Sequence, residues 1–150
     1  MIKPLVTALL AVALSPFALS PNAYAVAAQI VGVTLQDPSV DPSHSAIAIT
    51  ADTTKVKAGR VTLEAVNRSK DLVHEVLVVP APSDGTELPY DTKTGTVIEK
   101  RMHSLGEISE LKPGARGKLT LNLKPGTYLL LCNQPGHYKS GMSTKLVVAK

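Results

Sequence analysis

An all-β sandwich is the fold this chain predicts, and three observations predict it. From Ala27 onward apolar residues recur at every second position, Pro, Gly, Asn and Asp interrupt that alternation at short intervals, and no stretch carries a convincing helical period. About seven or eight strands fit between the turn signals, which suits two packed sheets around one core.

Residues 1–25 stand apart from that pattern. Lys3 supplies a positive start, Pro4 to Leu14 is an apolar run, and Ala23-Tyr24-Ala25 has the small-x-small form cut by signal peptidase. A membrane anchor is the alternative, but Ser15 and Pro16 break the run short of the roughly 20 residues a spanning helix needs. The expectation is a signal peptide over 1–25, cleaved after Ala25, and one domain over 26–150. Removing 25 of the 150 residues leaves 125, enough for a single core, and lowers the net charge from +4 to +3 because Lys3 is the only charge lost.

The strands follow in order. Val31, Val33 and Leu35 share one face of the first, and Ile47 and Ile49 one face of the second, with the Asp-Pro-containing loop 37–45 between them. Lys57-Ala58-Gly59-Arg60 reads as a turn into a half-buried strand in which Val61, Leu63 and Ala65 alternate with Thr62 and Glu64. In Asp71 to Pro80 both alternating faces are largely apolar, Leu72, His74, Val76 and Val78 on one and Val73, Glu75, Leu77 and Val79 on the other, so this strand belongs inside a sheet. Ala81 to Arg116 is the least regular part, a connection with short elements around Ile98 and Ile108, of the length that often carries function. Leu-Lys-Pro-Gly occurs at 111–114 and again at 123–126, and Pro followed by Gly suits the central positions of a type II turn. Between the two, Leu119, Leu121 and Leu123 make the cleanest half-buried strand. A further strand runs from Thr127 to Cys132, and Thr144 to Ala149 is the last.

Composition narrows the function. The chain is mildly basic without any run of Lys or Arg, and after residue 25 its only aromatic side chains are Tyr90, Tyr128 and Tyr138, so nucleic-acid binding has no support. An exported chain ordinarily pairs its cysteines, whereas this one has a single Cys. Such a thiol is inert in a core, nucleophilic, paired between molecules, or held by a metal.

Its neighbours point to the metal. Cys132-Asn133-Gln134-Pro135-Gly136-His137-Tyr138-Lys139-Ser140-Gly141-Met142 places a thiolate, an imidazole and a thioether at C-x4-H-x4-M, with Pro-Gly and Ser-Gly letting the backbone curl. That donor set is soft and suits copper. His74, 58 residues before Cys132, reads by itself as a hydrogen-bonded core residue, but it supplies the second imidazole the loop lacks. Two His and one Cys with a weak Met is the arrangement of electron-transfer copper sites. Zinc gains little from a thioether and its structural sites carry more cysteines. Nucleophilic catalysis by Cys132 and His137 suits the spacing less well than a ligand loop does, and a multicopper oxidase needs His-x-His pairs that this chain lacks. His44 and the Met102-His103 pair read as surface loop residues, the latter pair a weak secondary copper site if the chain captures metal.

The ligand loop, the strand with His74 and the turn Lys124-Pro125-Gly126-Thr127-Tyr128 resemble the cupredoxin family of small blue or green copper proteins. The resemblance extends over Val56 to Val148 and more loosely over the first strands, and the loop spacing is most similar to the rusticyanin, sulfocyanin and periplasmic copper-tolerance groups. It implies a Greek-key β-sandwich, one type 1 copper, His74, Cys132 and His137 as equatorial ligands and Met142 as the axial one. One departure stands out: many cupredoxins carry Asn or Ser directly after the upstream histidine, where this chain has Glu75. The resemblance implies a periplasmic monomer, not an enzyme, that exchanges electrons with a cytochrome or oxidase docked near His137. The alternative it leaves open is a copper-tolerance protein that sequesters or oxidises excess copper through the same four ligands.

Overall fold

The computed structural model describes residues 29–37 and 47–150. The expected signal peptide, its cleavage site and His44 lie outside those residues. Among the described residues the strands are β1 (Gln29–Gln36), β2 (Ala48–Ala51), β3 (Lys55–Lys57), β4 (Gly59–Asn67), β5 (His74–Pro80), β6 (Tyr90–Asp91), β7 (Thr96–Val97), β8 (Gly106–Leu111), β9 (Arg116–Leu123), β10 (Gly126–Leu131) and β11 (Ser143–Ala149), with one 3-10 turn at Glu99–Arg101. No helix among them is long and apolar enough to cross a membrane.

Two sheets face each other. One has the order β2-β1-β4-β9 and the other β3-β11-β10-β5-β8, while β6 and β7 form a separate two-stranded hairpin. Both parallel pairings, β1 with β4 and β3 with β11, join strands that the chain reaches only by crossing to the other sheet. The alternation anticipated for β1, β4 and β11 is observed: Val31, Val33 and Leu35, then Val61, Leu63 and Ala65, then Leu146 and Val148 are buried between the sheets. Each such side chain contributes about 1.5–3 kcal/mol by leaving water.

Strand β5 is buried on both faces, as its two apolar stripes require. Val76 and Val78 join the core between the sheets, and Leu77 and Val79 join a second cluster with Leu88, Val97 and Leu131. The long connection after β5 therefore folds back over the outer face of its own sheet and covers it. Leu72 and Val73, expected at the start of this strand, are instead exposed, at 37% and 36%. The strand starts at His74 because the preceding residues are held in a loop, described below.

Only the first of the two Pro-Gly turns takes the expected form. The Ala115 amide donates to the Lys112 carbonyl at 2.9 Å and Gly114 has φ of 79°. At the second, Gly126 has φ of 157° and already belongs to β10, and the Lys124 carbonyl accepts the Tyr128 hydroxyl at 2.9 Å. The strand count exceeds the expected seven or eight because β3, β6 and β7 have three or two residues each, too few to show a period.

Candidate metal centre

Strands β5 and β10 are antiparallel neighbours, with Leu77 opposite Leu131, so the start of one and the end of the other meet at the same end of the sandwich. His74 opens β5 and Cys132 follows β10 directly. Both are fully buried. The loop after Cys132 then closes on itself: the Cys132 amide donates to the Met142 carbonyl and the Met142 amide to the His137 carbonyl, each at 3.1 Å. Those two bonds bring His137 back over the sulfur and bury Met142 completely beside it in the main core. Gly136 and Gly141, at φ of 80° and 90°, supply the left-handed positions the curl needs.

Three side chains converge through one atom each. His74 Nδ1 and His137 Nδ1 are 3.2 Å apart, Cys132 Sγ is 3.3 Å from His137 Nδ1, and it is 3.7 Å from His74 Nδ1. The circle through a triangle of those sides has a radius of about 2.0 Å, the length of a bond from a first-row metal to imidazole nitrogen and slightly short of one to thiolate. His74, Cys132 and His137 form a candidate type 1 copper site.

The imidazole of His74 is oriented from behind. Its Nε2 lies 2.7 Å from the Ser69 hydroxyl; with the proton on Nε2 the ring donates to that oxygen and its Nδ1 lone pair faces the triangle. Asn67 builds the loop that presents Ser69. Its side-chain oxygen accepts the Ser69 amide, and its side-chain nitrogen donates to the carbonyls of Leu72 and Leu111 at 2.7 Å each. This loop is what keeps Leu72 and Val73 out of the strand. Sequence reading assigned no role to Asn67 or Ser69.

Glu75, the residue after His74, bridges the two segments that carry the site. Its carboxylate accepts the Asn133 amide at 3.0 Å and the Gln134 side-chain amide at 3.2 Å, tying the His74 strand to the Cys132 loop. Burial raises its pKa, the Gln134 bond opposes that, and the nearby Glu107 and Glu99 charges add to the rise.

Burial also sets the charge state of the donors. It lowers His74 to about 4, with the His137 charge adding and Asp37 opposing, and it lowers His137 too. The Cys132 thiol is pushed up to about 11 by burial, while the backbone amides of Gln134 and Glu75 pull the other way. Burial thus shifts the thiol in the direction opposite to that which activates a nucleophilic cysteine. A metal cation reverses this balance by taking the place of the thiol proton.

Of the remaining candidates, Met102 is half-buried against the second cluster and His103 is exposed, so neither joins the triangle. Lys139 pairs with Glu87 and lies over the Tyr90 ring, 5.4 Å from its centre. It is engaged within the chain.

Solved structures carry the comparison. Auracyanin from the photosynthetic bacterium Roseiflexus castenholzii is 20% identical with a TM-score of 0.56, covering 81% of this chain and 97% of that one. Rusticyanin from Thiobacillus ferrooxidans is 18% identical with a TM-score of 0.59, covering 80% and 77%. Both are cupredoxins. The chain has the cupredoxin fold. Auracyanin B, 23% identical with a TM-score of 0.57, covers 82% of this chain and 90% of its own. A scan of protein-family models and a search of curated proteins find no match. Rusticyanin is a copper protein; in this chain His74 stands at the start of β5, and Cys132 and His137 lie on the loop after β10.

Proposed function

We propose that the chain is a periplasmic type 1 copper protein that carries single electrons, with one copper held by His74, Cys132 and His137 in a plane and by Met142 on the axis. The observation that carries this reading is the triangle of one sulfur and two nitrogens, whose sides of 3.2, 3.3 and 3.7 Å fit a first-row metal. Copper supplies a one-electron couple when bound there.

The chain's own residues do the remaining work. The paired strands hold His74 and Cys132, Ser69 fixes the tautomer of His74, and the buried Met142 closes the inner side to water. His137 is half-buried, and in this reading its ring edge is the electron exit, with Pro135, Gly136, Tyr138 and Gly141 forming the docking patch around it. A cytochrome or oxidase docking there needs only a small contact, as transient redox encounters do, and the chain works as a monomer. A copper-tolerance role would use the same ligands. Met102, packed against the second cluster rather than offered beside the site, lends that role no further donor.

Rapid mixing tests the carrier reading. Reduced copper-loaded protein should reduce an oxidised c-type cytochrome within milliseconds to seconds, and deletion of the gene should impair respiration. Copper sensitivity on deletion, with respiration intact and no electron exchange, would assign the chain to copper tolerance instead.

A further inference from the structure

Asn133, the residue after the cysteine, has its backbone amide and both polar side-chain atoms engaged while it is only 7% exposed. Its amide donates to Glu75 at 3.0 Å, its Oδ1 accepts the Val97 amide at 2.7 Å, and its Nδ2 donates to the Val97 carbonyl at 3.3 Å and to Glu99 Oε1 at 2.8 Å. The side chain thus pairs with both backbone groups of Val97, as a neighbouring strand would. Three residues on, the Gly136 amide donates to the Gly95 carbonyl at 2.7 Å. The approach is close: a Cβ on Gly95, whose φ is 73°, would come within 3.1 Å of the Gly136 nitrogen.

The four residues between Cys132 and His137 are therefore fastened at both ends to the β6–β7 hairpin and the 3-10 turn. We propose that Asn133 is a positioning residue which hangs the ligand loop on this hairpin, so that segment 88–101 holds His137 in place before any metal arrives. The fastening rests on the copper reading for its purpose and not for its existence. Asn fits position 133 because the contacts demand one acceptor and two donors on a flat group. Asp there would set a carboxylate against Glu99, and Ala would leave the Val97 amide without its partner.

The hairpin has few other ties to the sandwich. It covers the second cluster through Val97 and Tyr90, and the Leu88 amide donates to the Tyr138 hydroxyl at 3.4 Å. Loss of the Asn133 contacts therefore frees hairpin and loop together, and the Gly136–Gly95 bond, which the substitution does not touch, opens with them.

Amide hydrogen exchange on the metal-free chain reads this directly. In Asn133→Ala the Gly136 amide should exchange at least about tenfold faster, while Leu63 in β4 keeps its rate. Glu99→Ala, at an exposed position that does not endanger the fold, should give a smaller acceleration, and Glu99→Gln, which keeps the acceptor oxygen, should restore the original rate. An unchanged Gly136 rate in both Asn133→Ala and Glu99→Ala overturns the proposal, and Glu99→Ala decides alone if Asn133→Ala does not fold. A chain that takes up no coloured copper yet shows the faster Gly136 exchange keeps the fastening and loses the copper reading. One that gives the same copper paramagnetic spectrum with and without Asn133, at an unchanged Gly136 rate, does the reverse.

Discussion

Each ligand has a separate and separable job. Cys132→Ser replaces the thiolate whose charge transfer to copper gives an intense visible band, so the variant should be colourless when copper is added, as absorption spectroscopy will read. Met142→Leu keeps the buried volume and removes the weak sulfur, so copper should remain while the reduction potential shifts, measured by voltammetry; complete loss of copper would contradict an axial role. Ser69→Ala leaves His74 Nε2 without its 2.7 Å partner. Copper affinity should fall about 10–100-fold in a competition titration with a chelator, because the ring is then free to turn. His74 was legible from sequence only because Cys132 and His137 needed a further nitrogen. Ser69 and Asn67 were not, since a loop hydrogen bond leaves no period and no ligand-type residue to notice. Glu75 was legible as a departure, and the geometry shows what it does: the carboxylate makes the tie between the two ligand-bearing segments.

Most of the longer strands could be read directly from their sequence. β4, β9, β10 and β11 fall where Val61-Leu63-Ala65, Leu119-Leu121-Leu123, the stretch before Cys132 and Leu146-Val148 indicated. The β6–β7 hairpin could not be read, because two-residue strands have no period and their pairing is decided by contacts with Asn133 and Gly136 far along the chain. Close packing between β8 and β9 was also invisible. A Cβ on Gly117 would come within 2.3 Å of Ile108 Cγ2. Gly117→Ala should therefore force the two edge strands apart and cost about 1–3 kcal/mol, seen as a lower urea midpoint with an unchanged slope.

At the scale of the molecule, two cores share the strands that carry the ligands. β5 and β10 contribute Val76, Val78 and Leu130 to the cluster between the sheets and Leu77, Val79 and Leu131 to the cluster under the long connection. His74 and Cys132 lie where these two strands meet, so both clusters hold the candidate site in place. Copper that binds only the folded chain stabilises it by about 2.7 kcal/mol at a free concentration one hundred times its dissociation constant. The thermal midpoint should rise accordingly with added copper and should not rise in Cys132→Ser. The copper triangle is tested most directly by a titration of residues 26–150 with Cu(II) under visible absorption. One equivalent per chain should saturate an intense thiolate-to-copper band in the wild type, and the absence of that band with Cys132 shown to be a free thiol would contradict the assignment.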